Sequence, residues 1–169
     1  RNYMTKHLDP EWMVDLGYMD ASEAFGEERG WWANKQVRDL HLTVPITVSD
    51  DVTIAECSKI LHTNGFDQVP VTNDNGDVVG VVTEGNLSAK LLRGAVTPED
   101  PVTKVLFHKY RSVQANTSLA ELGQAFNRDY FALVVCTQKN YCAAGKLTER
   151  TTVNGLVTRI DLLDFIMKG

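Results

Sequence analysis

The sequence predicts an α/β (α+β) fold made of two pseudo-twofold β-α-β-β-α repeats, preceded by an N-terminal helical linker segment. Three observations predict it. A strand–Thr–helix junction occurs twice, as Gly80-Val81-Val82-Thr83-Glu84-Gly85-Asn86-Leu87 and as Gly155-Leu156-Val157-Thr158-Arg159-Ile160-Asp161-Leu162-Leu163. In each, a short apolar run breaks at Thr, and apolar residues then recur at helical spacing. Ahead of each junction come an amphipathic helical stretch, an apolar strand and a hairpin, in the same order. A unit of about 50–65 residues is marginal by itself, so two such units are expected to stack their sheets over one shared core. Clefts then lie between the repeats, each lined by the middle strand of one and the final junction of the other.

The 169 residues suffice for one compact domain or two small ones, and 43% hydrophobic with 23% charged residues is ordinary for a globular chain. A net charge of −5 argues against nucleic acid as the main partner. No apolar stretch is long enough to span a membrane. Cys57, Cys136 and Cys142 lack metal-ligand spacing and are odd in number, against a disulfide framework or a zinc site and in favour of a reducing, cytoplasmic setting. Cys57 reads as core, on a helical face with Ile54 and Leu61. The chain begins at Arg1 without an initiator Met and is read as a piece of something longer.

Residues 1–41 form the linker segment. Asp9-Pro10 reads as a helix start, with Trp12, Met13 and Leu16 on one face. Residues 20–30 are acidic and loop-like. Trp31-Trp32 opens a short helix continued by Val37 and Leu40. Three tryptophans in so short a segment are too much apolar area for water, so they pack on this chain's own core or on a neighbouring domain.

The first repeat covers 42–98. Val44-Pro45-Ile46-Thr47-Val48 is extended, and its Pro confines it to an edge or a strand end. Asp50-Asp51 precede a helix with Ile54, Cys57, Ile60 and Leu61 inward, ended at Asn64-Gly65. Phe66 to Val71 is a strand, Asn73 to Asp77 a tight hairpin, Val78 to Val82 the returning strand. A helix then runs through Leu87, Leu91 and Leu92 to Gly94. The second repeat covers 99–169. Tyr110 to Val113 is its entry strand, Leu119, Leu122, Ala125 and Phe126 its helical face, and Tyr130 to Val135 its middle strand. Its hairpin, Thr137 to Thr152, is 11 residues longer than the first and reads as a polar loop, mobile or contact-making.

No Ser/His/Asp set, glycine-rich phosphate loop or paired carboxylates stand out. His7, His41, His62 and His108 are scattered, so no residue is assigned a catalytic role and no metal site is expected. The two junctions differ in one respect: the position two beyond Thr-x is the carboxylate Asp161 in the later copy and the amide Asn86 in the earlier. Thr158-x-x-Asp161 fits a helix capping box and a ligand-binding carboxylate equally well.

The paired β-α-β-β-α repeats with their G-h-h-T-x-x-D/N turns resemble tandem CBS domains, the Bateman module. Arg1-Asn2-Tyr3-Met4-Thr5-Lys6, Trp31-Trp32, Gly65-Phe66-Asp67-Gln68-x-Pro70-Val71, Phe131-Ala132-Leu133-Val134-Val135 and Gly155-x-Val157-Thr158-x-Ile160-Asp161-Leu162-Leu163 narrow the resemblance. Within that family they are similar to the C-terminal regulatory regions of cystathionine β-synthases, over essentially the whole chain. The resemblance implies a non-catalytic module that binds S-adenosylmethionine between its repeats and modulates or stabilises a pyridoxal-phosphate (PLP) catalytic domain, absent here, that joins serine and homocysteine. It implies homodimers or higher oligomers through the modules.

Position by position, the resemblance implies binding by Phe66, Asp67, Gln68, Val69, Thr158, Ile160 and Asp161, with Val44, Ile46 and Leu156 lining the adenine slot. A carboxylate can accept from both ribose hydroxyls, which an amide cannot, so the Asn86 cleft, crowded also by Tyr130-Phe131, is the poorer site. Phe66 and Asp67 suit a sulfonium or an ammonium. Arg159 departs from this picture. Facing the cleft, it favours a phosphate, the basis for an adenine-nucleotide (AMP/ATP) alternative; a ligand-free oligomerising module is the other.

Overall fold

The computed structural model describes residues 30–169. The expected Asp9-Pro10 helix and Trp12 lie outside them. Two three-stranded sheets, each with two helices, reproduce the duplicated order. In the first repeat β1 (Val48–Ser49) pairs parallel with β2 (Gln68–Thr72), which pairs antiparallel with β3 (Val78–Thr83). α1 (Ile54–Asn64) connects β1 to β2, and α2 (Glu84–Leu92) follows β3. The second repeat repeats the scheme with β4 (Arg111–Val113), α3 (Leu119–Ala125), β5 (Phe131–Tyr141), β6 (Leu147–Thr158) and α4 (Arg159–Lys168).

Local chemistry sets the ends of these elements. Thr53 and Glu56 form a reciprocal capping box at the start of α1: the Thr53 N–H donates to Glu56 Oε2 (2.8 Å) and the Glu56 N–H to Thr53 Oγ1 (3.2 Å). Gly65 ends α1 at φ 66°, left-handed backbone that a residue without Cβ adopts freely. Asn73 folds the first hairpin by accepting from the Asn75 and Asp77 N–H groups on its Oδ1, both at 3.0 Å.

Alternation along the strands sorts side chains into three cores. Val69, Val71 and Val82 pack under α1 and α2, with Ile54, Cys57, Leu61 and Leu87. Cys57 is therefore core, as its helical spacing suggests, and burial pushes its thiol up to about 11. Ala132, Val134 and Val157 pack under α3 and α4, with Leu119, Leu122 and Leu162. Between the sheets Val81 of the first repeat meets Phe131 and Leu133 of the second, with Tyr110, Val153 and Leu156 around them. This third cluster is the shared core expected from the size of each unit.

The segment leading into each repeat packs on the other one. Val37, Leu40 and Leu42 join the core of the second repeat. The Val37 and Arg38 N–H groups donate to the Thr117 and Ala115 carbonyls, both at 2.9 Å. Val96, Val102 and Val105 join the core of the first repeat, where the Ile54 N–H donates to the Asp100 carbonyl and the Val102 N–H to the Val52 carbonyl. Each lead-in lays a leucine over the glycine of the opposite junction. A Cβ on Gly80 would lie 3.1 Å from Leu106 Cβ, and one on Gly155 would lie 3.2 Å from Leu42 Cδ1 and 3.3 Å from Val134 Cγ2. Gly155→Ala is accordingly expected to cost about 1–3 kcal/mol by overpacking. Urea denaturation checks this; a variant within 0.5 kcal/mol of the parent would show that the contact relaxes freely.

Three sequence expectations change. Trp31-Trp32 sits in a turn, and the helical turn nearest to it among the described residues is a 3-10 turn at Val37–Leu40. Four residues suffice there because Asp39 Oδ2 accepts the Gln36 N–H at 2.8 Å and closes the turn. Trp32 does pack on this chain's own core, while Trp31, half exposed, lies against the Phe165 ring at 5.4 Å between centroids. Residues 44–47 stay outside the ladder, so β1 is only the edge pair Val48–Ser49. The helix through Leu87 and Leu91 ends at Leu92, which is 88% exposed.

The third change concerns Thr137 to Thr152. This stretch continues the β5–β6 ladder without interruption to a turn at 142–146. Its threonines and the cross-strand pair Lys139–Glu149 (3.7 Å) favour pairing although no core covers either face. The Thr137 and Thr151 hydroxyls lie 3.3 Å apart.

Candidate functional site

Gln68 and Pro70 alternate on the face of β2 turned away from its helices, and Phe66, just before the strand and packed against the first repeat's core, borders the same space. Opposite them runs the lead-in Thr43-Val44-Pro45-Ile46, and Leu156 of β6 closes the space from the second repeat. Together these residues enclose a cavity of about 300 Å³. Five of the ten expected site residues thus converge: Val44, Ile46, Phe66, Gln68 and Leu156. The lining is apolar apart from the Gln68 amide and the Thr43 hydroxyl, so it suits a flat, weakly polar ring.

A second cavity, about 700 Å³, adjoins the first and shares Thr43 and Leu156 with it. Asp161 lines this one, at the first turn of α4, opposite Leu40, His41 and Leu42. Its Oδ2 accepts the Thr158 N–H at 2.8 Å and the Thr158 hydroxyl at 3.0 Å. The capping and the ligand readings of Thr158-x-x-Asp161 are therefore compatible. One oxygen holds the helix start, while Oδ1 has no protein partner among the described residues. The α4 terminus adds unpaired backbone N–H groups and a positive dipole end beside this carboxylate.

The remaining expected residues are placed differently. Val69 is a correction: its side chain is 1% exposed and packs under α1 and α2, because alternation turns it away from the face that carries Gln68. Asp67 is exposed, and its carbonyl accepts the Glu84 N–H at 2.8 Å. Ile160 is 67% exposed on α4 and, like Asp67 and Thr158, lines neither cavity. Arg159 lays its guanidinium over the Tyr130 ring, 4.8 Å from the centroid, and also lines neither cavity. Thr43, Pro45 and Pro70 are cavity residues that the sequence reading passed over. The period-2 rule applied from Gln68 would have found Pro70 and excluded Val69.

The pseudo-twofold-related junction is built otherwise. The Thr83 hydroxyl accepts the Asn86 N–H at 3.2 Å, and the Asn86 side-chain amide donates to the Val105 carbonyl at 2.9 Å. The amide thus ties the junction to the lead-in of the second repeat. Phe131 on that side is buried in the inter-repeat core.

Among the described residues no cluster of His, Cys, Asp and Glu could hold a metal ion, and no helix is long and apolar enough to cross a membrane. Residues 37–93 match the family model described as CBS domain. The chain is 40% identical over 166 residues to cystathionine beta-synthase of Oryctolagus cuniculus; the match takes in 98% of this chain and 30% of that protein. The chain spans about a third of the length of the curated relatives it matches. A solved CBS domain pair of protein MJ0100, in complex with 5-methylthioadenosine and S-adenosyl-L-methionine, superposes with a TM-score of 0.60 at 16% identity. That alignment covers 79% of this chain and 97% of the other. The structure of CbpB in complex with c-di-AMP gives 0.62 at 16% identity, over 86% and 93% of the two chains. At such identity these two structures speak for the fold alone.

Proposed function

We propose, starting from a chain that belongs to the CBS-domain family and corresponds to the CBS region of cystathionine beta-synthase, that it binds S-adenosylmethionine between its repeats and regulates a catalytic domain carried by the rest of a longer protein. The observation that carries this reading is the Asp161 carboxylate beside the cavity of Val44, Ile46, Phe66 and Leu156. The cavity takes the adenine, and Asp161 Oδ1 accepts from the ribose diol. Phe66 and Asp67, at the start of the middle strand, offer an aromatic face and a negative charge to the sulfonium. Gln68 lines the cavity, and Thr158 and Ile160, beside Asp161 at the start of α4, border the arrangement.

Such a ligand bridges the two repeats, since Phe66 and Asp161 belong to different ones. It can act on the catalytic domain only by favouring one arrangement of the repeats over another. The serine–homocysteine reaction, its PLP, the cytoplasmic setting and homo-oligomers through the CBS modules follow from the same family reading and belong to the longer protein. The adenine-nucleotide alternative loses its main support, because the Arg159 guanidinium is stacked on Tyr130.

Calorimetry with S-adenosylmethionine, followed by competition with AMP and ATP, tests this. One molecule per chain is expected to bind, with the nucleotides competing poorly. At about 100 times its Kd the ligand adds about 2.7 kcal/mol to stability, a rise in melting temperature that is easily read. No heat and no thermal shift at millimolar S-adenosylmethionine would overturn the reading.

A further inference from the structure

The hairpin of the second repeat extends past its own core and reaches the hairpin of the first. Arg150 Nη2 donates to the Asn75 carbonyl, and Arg150 Nε lies 3.6 Å from Asp77 Oδ1. That Oδ1 is buried and has no hydrogen-bond partner among the described residues, so the guanidinium is the only charge that compensates it there. The guanidinium also covers the turn itself: a Cβ on Gly76 would meet Arg150 Nη2 at 3.7 Å. A second hairpin as short as the first would carry no residue this far.

We propose that Arg150 closes a clamp between the two repeats, at the end of their sheets remote from the adenosyl cleft, and that rotation of one repeat against the other opens it. The strands are the levers. Leu156 lines the cleft, and Arg150 lies six residues earlier on β6, about 20 Å away at the rise of an antiparallel strand. Gln68 lines the cleft, and the clamped turn begins five residues later, about 17 Å away. The packed cluster of Val81, Phe131 and Leu133 sits at the cleft end of these strands, with Leu133 paired to Leu156 and Val81 to Pro70, and serves as the pivot. A change in the angle between the repeats therefore separates Arg150 from Asn75 and Asp77 before it disturbs either repeat's own core. The part of this inference that concerns ligand rests on the adenosyl reading above; the clamp itself does not.

Amide hydrogen exchange on the ligand-free chain tests the clamp, with Arg150→Gln and Asp77→Asn. Arg150→Gln is expected to raise exchange several-fold at residues 75–77, in the hairpin that carries no substitution. Asp77→Asn is expected to do the same at 147–152, and the double variant to exceed neither single one. Changes confined to the substituted hairpin, or fully additive changes, would overturn the clamp. Titration of Arg150→Gln with S-adenosylmethionine then reads the coupling: an altered Kd supports it, and an unchanged Kd overturns it. Should the parent chain not bind S-adenosylmethionine, the previous reading fails while exchange still decides the clamp.

Discussion

Asp161→Ala is expected to abolish calorimetric binding of S-adenosylmethionine, while lowering stability by only about 1 kcal/mol. The two effects separate because the two carboxylate oxygens have separate tasks. Oδ2 holds the start of α4 through the Thr158 N–H and hydroxyl, and loss of such a cap costs about 1 kcal/mol. Oδ1, left without a protein partner among the described residues on a side chain that lines the cavity, would accept from the ribose. Hydrogen bonds to a charged group contribute about 1.5–3 kcal/mol each, so two of them carry a loss of affinity of more than about a hundredfold. Asp161→Asn sharpens the test. It keeps an acceptor for the cap but places a donor where the ribose must donate, so binding falls while stability stays near the parent's. Binding that survives either substitution within threefold would assign Asp161 to capping alone. Urea denaturation run beside the calorimetry separates a lost site from a lost fold.

This separation was half visible in the sequence. Thr158-x-x-Asp161 announces a capping box, and Asn86 in the first copy announces that the two junctions differ. What the side chains do instead of binding is not local information. The Asn86 amide reaches Val105, nineteen positions away, and Arg159 turns to Tyr130 rather than to the cleft. The first partner is set by the lead-in of the second repeat crossing onto the first, and the second by the β5–β6 register that sets Phe131 opposite Thr158; no periodicity records either. Alternation along β2 was legible and separates Gln68 and Pro70 from Val69; family correspondence by position ignored it, and Val69 falls in the core. The duplicated element order was legible for the same reason, since each element is written in a short periodic run.

The crossing of the lead-in segments was not legible. Leu42 over Gly155 and Leu106 over Gly80 are contacts between segments far apart in the chain, and each glycine reads locally as a strand residue. The hairpin at 137–152 misled for a different reason. Polar on both faces, it lacks the alternation that marks a half-buried strand, and its pairing comes from its neighbour across the ladder.

The largest loss of stability is expected at Leu133. Its side chain is fully buried between the two sheets, against Val81 and Phe131, and pairs across the ladder with Leu156. Leu133→Ala removes apolar contact and leaves a cavity in the core between the two sheets, at a cost of about 3 kcal/mol. For a chain of this size that lowers the melting temperature by about 10 °C. Leu163→Ala, on the exposed side of α4, is the control and should stay within about 0.5 kcal/mol. The function predicts a second consequence. Leu156 also lines the adenine cavity, so loosening its partner should weaken S-adenosylmethionine more than the stability loss alone would in a still-folded sample. Ligand titration well below the melting temperature checks this. If Leu133→Ala costs no more than Leu163→Ala, the two repeats are not joined by a packed core. A ligand bound between them would then have no rigid pair of bodies to turn.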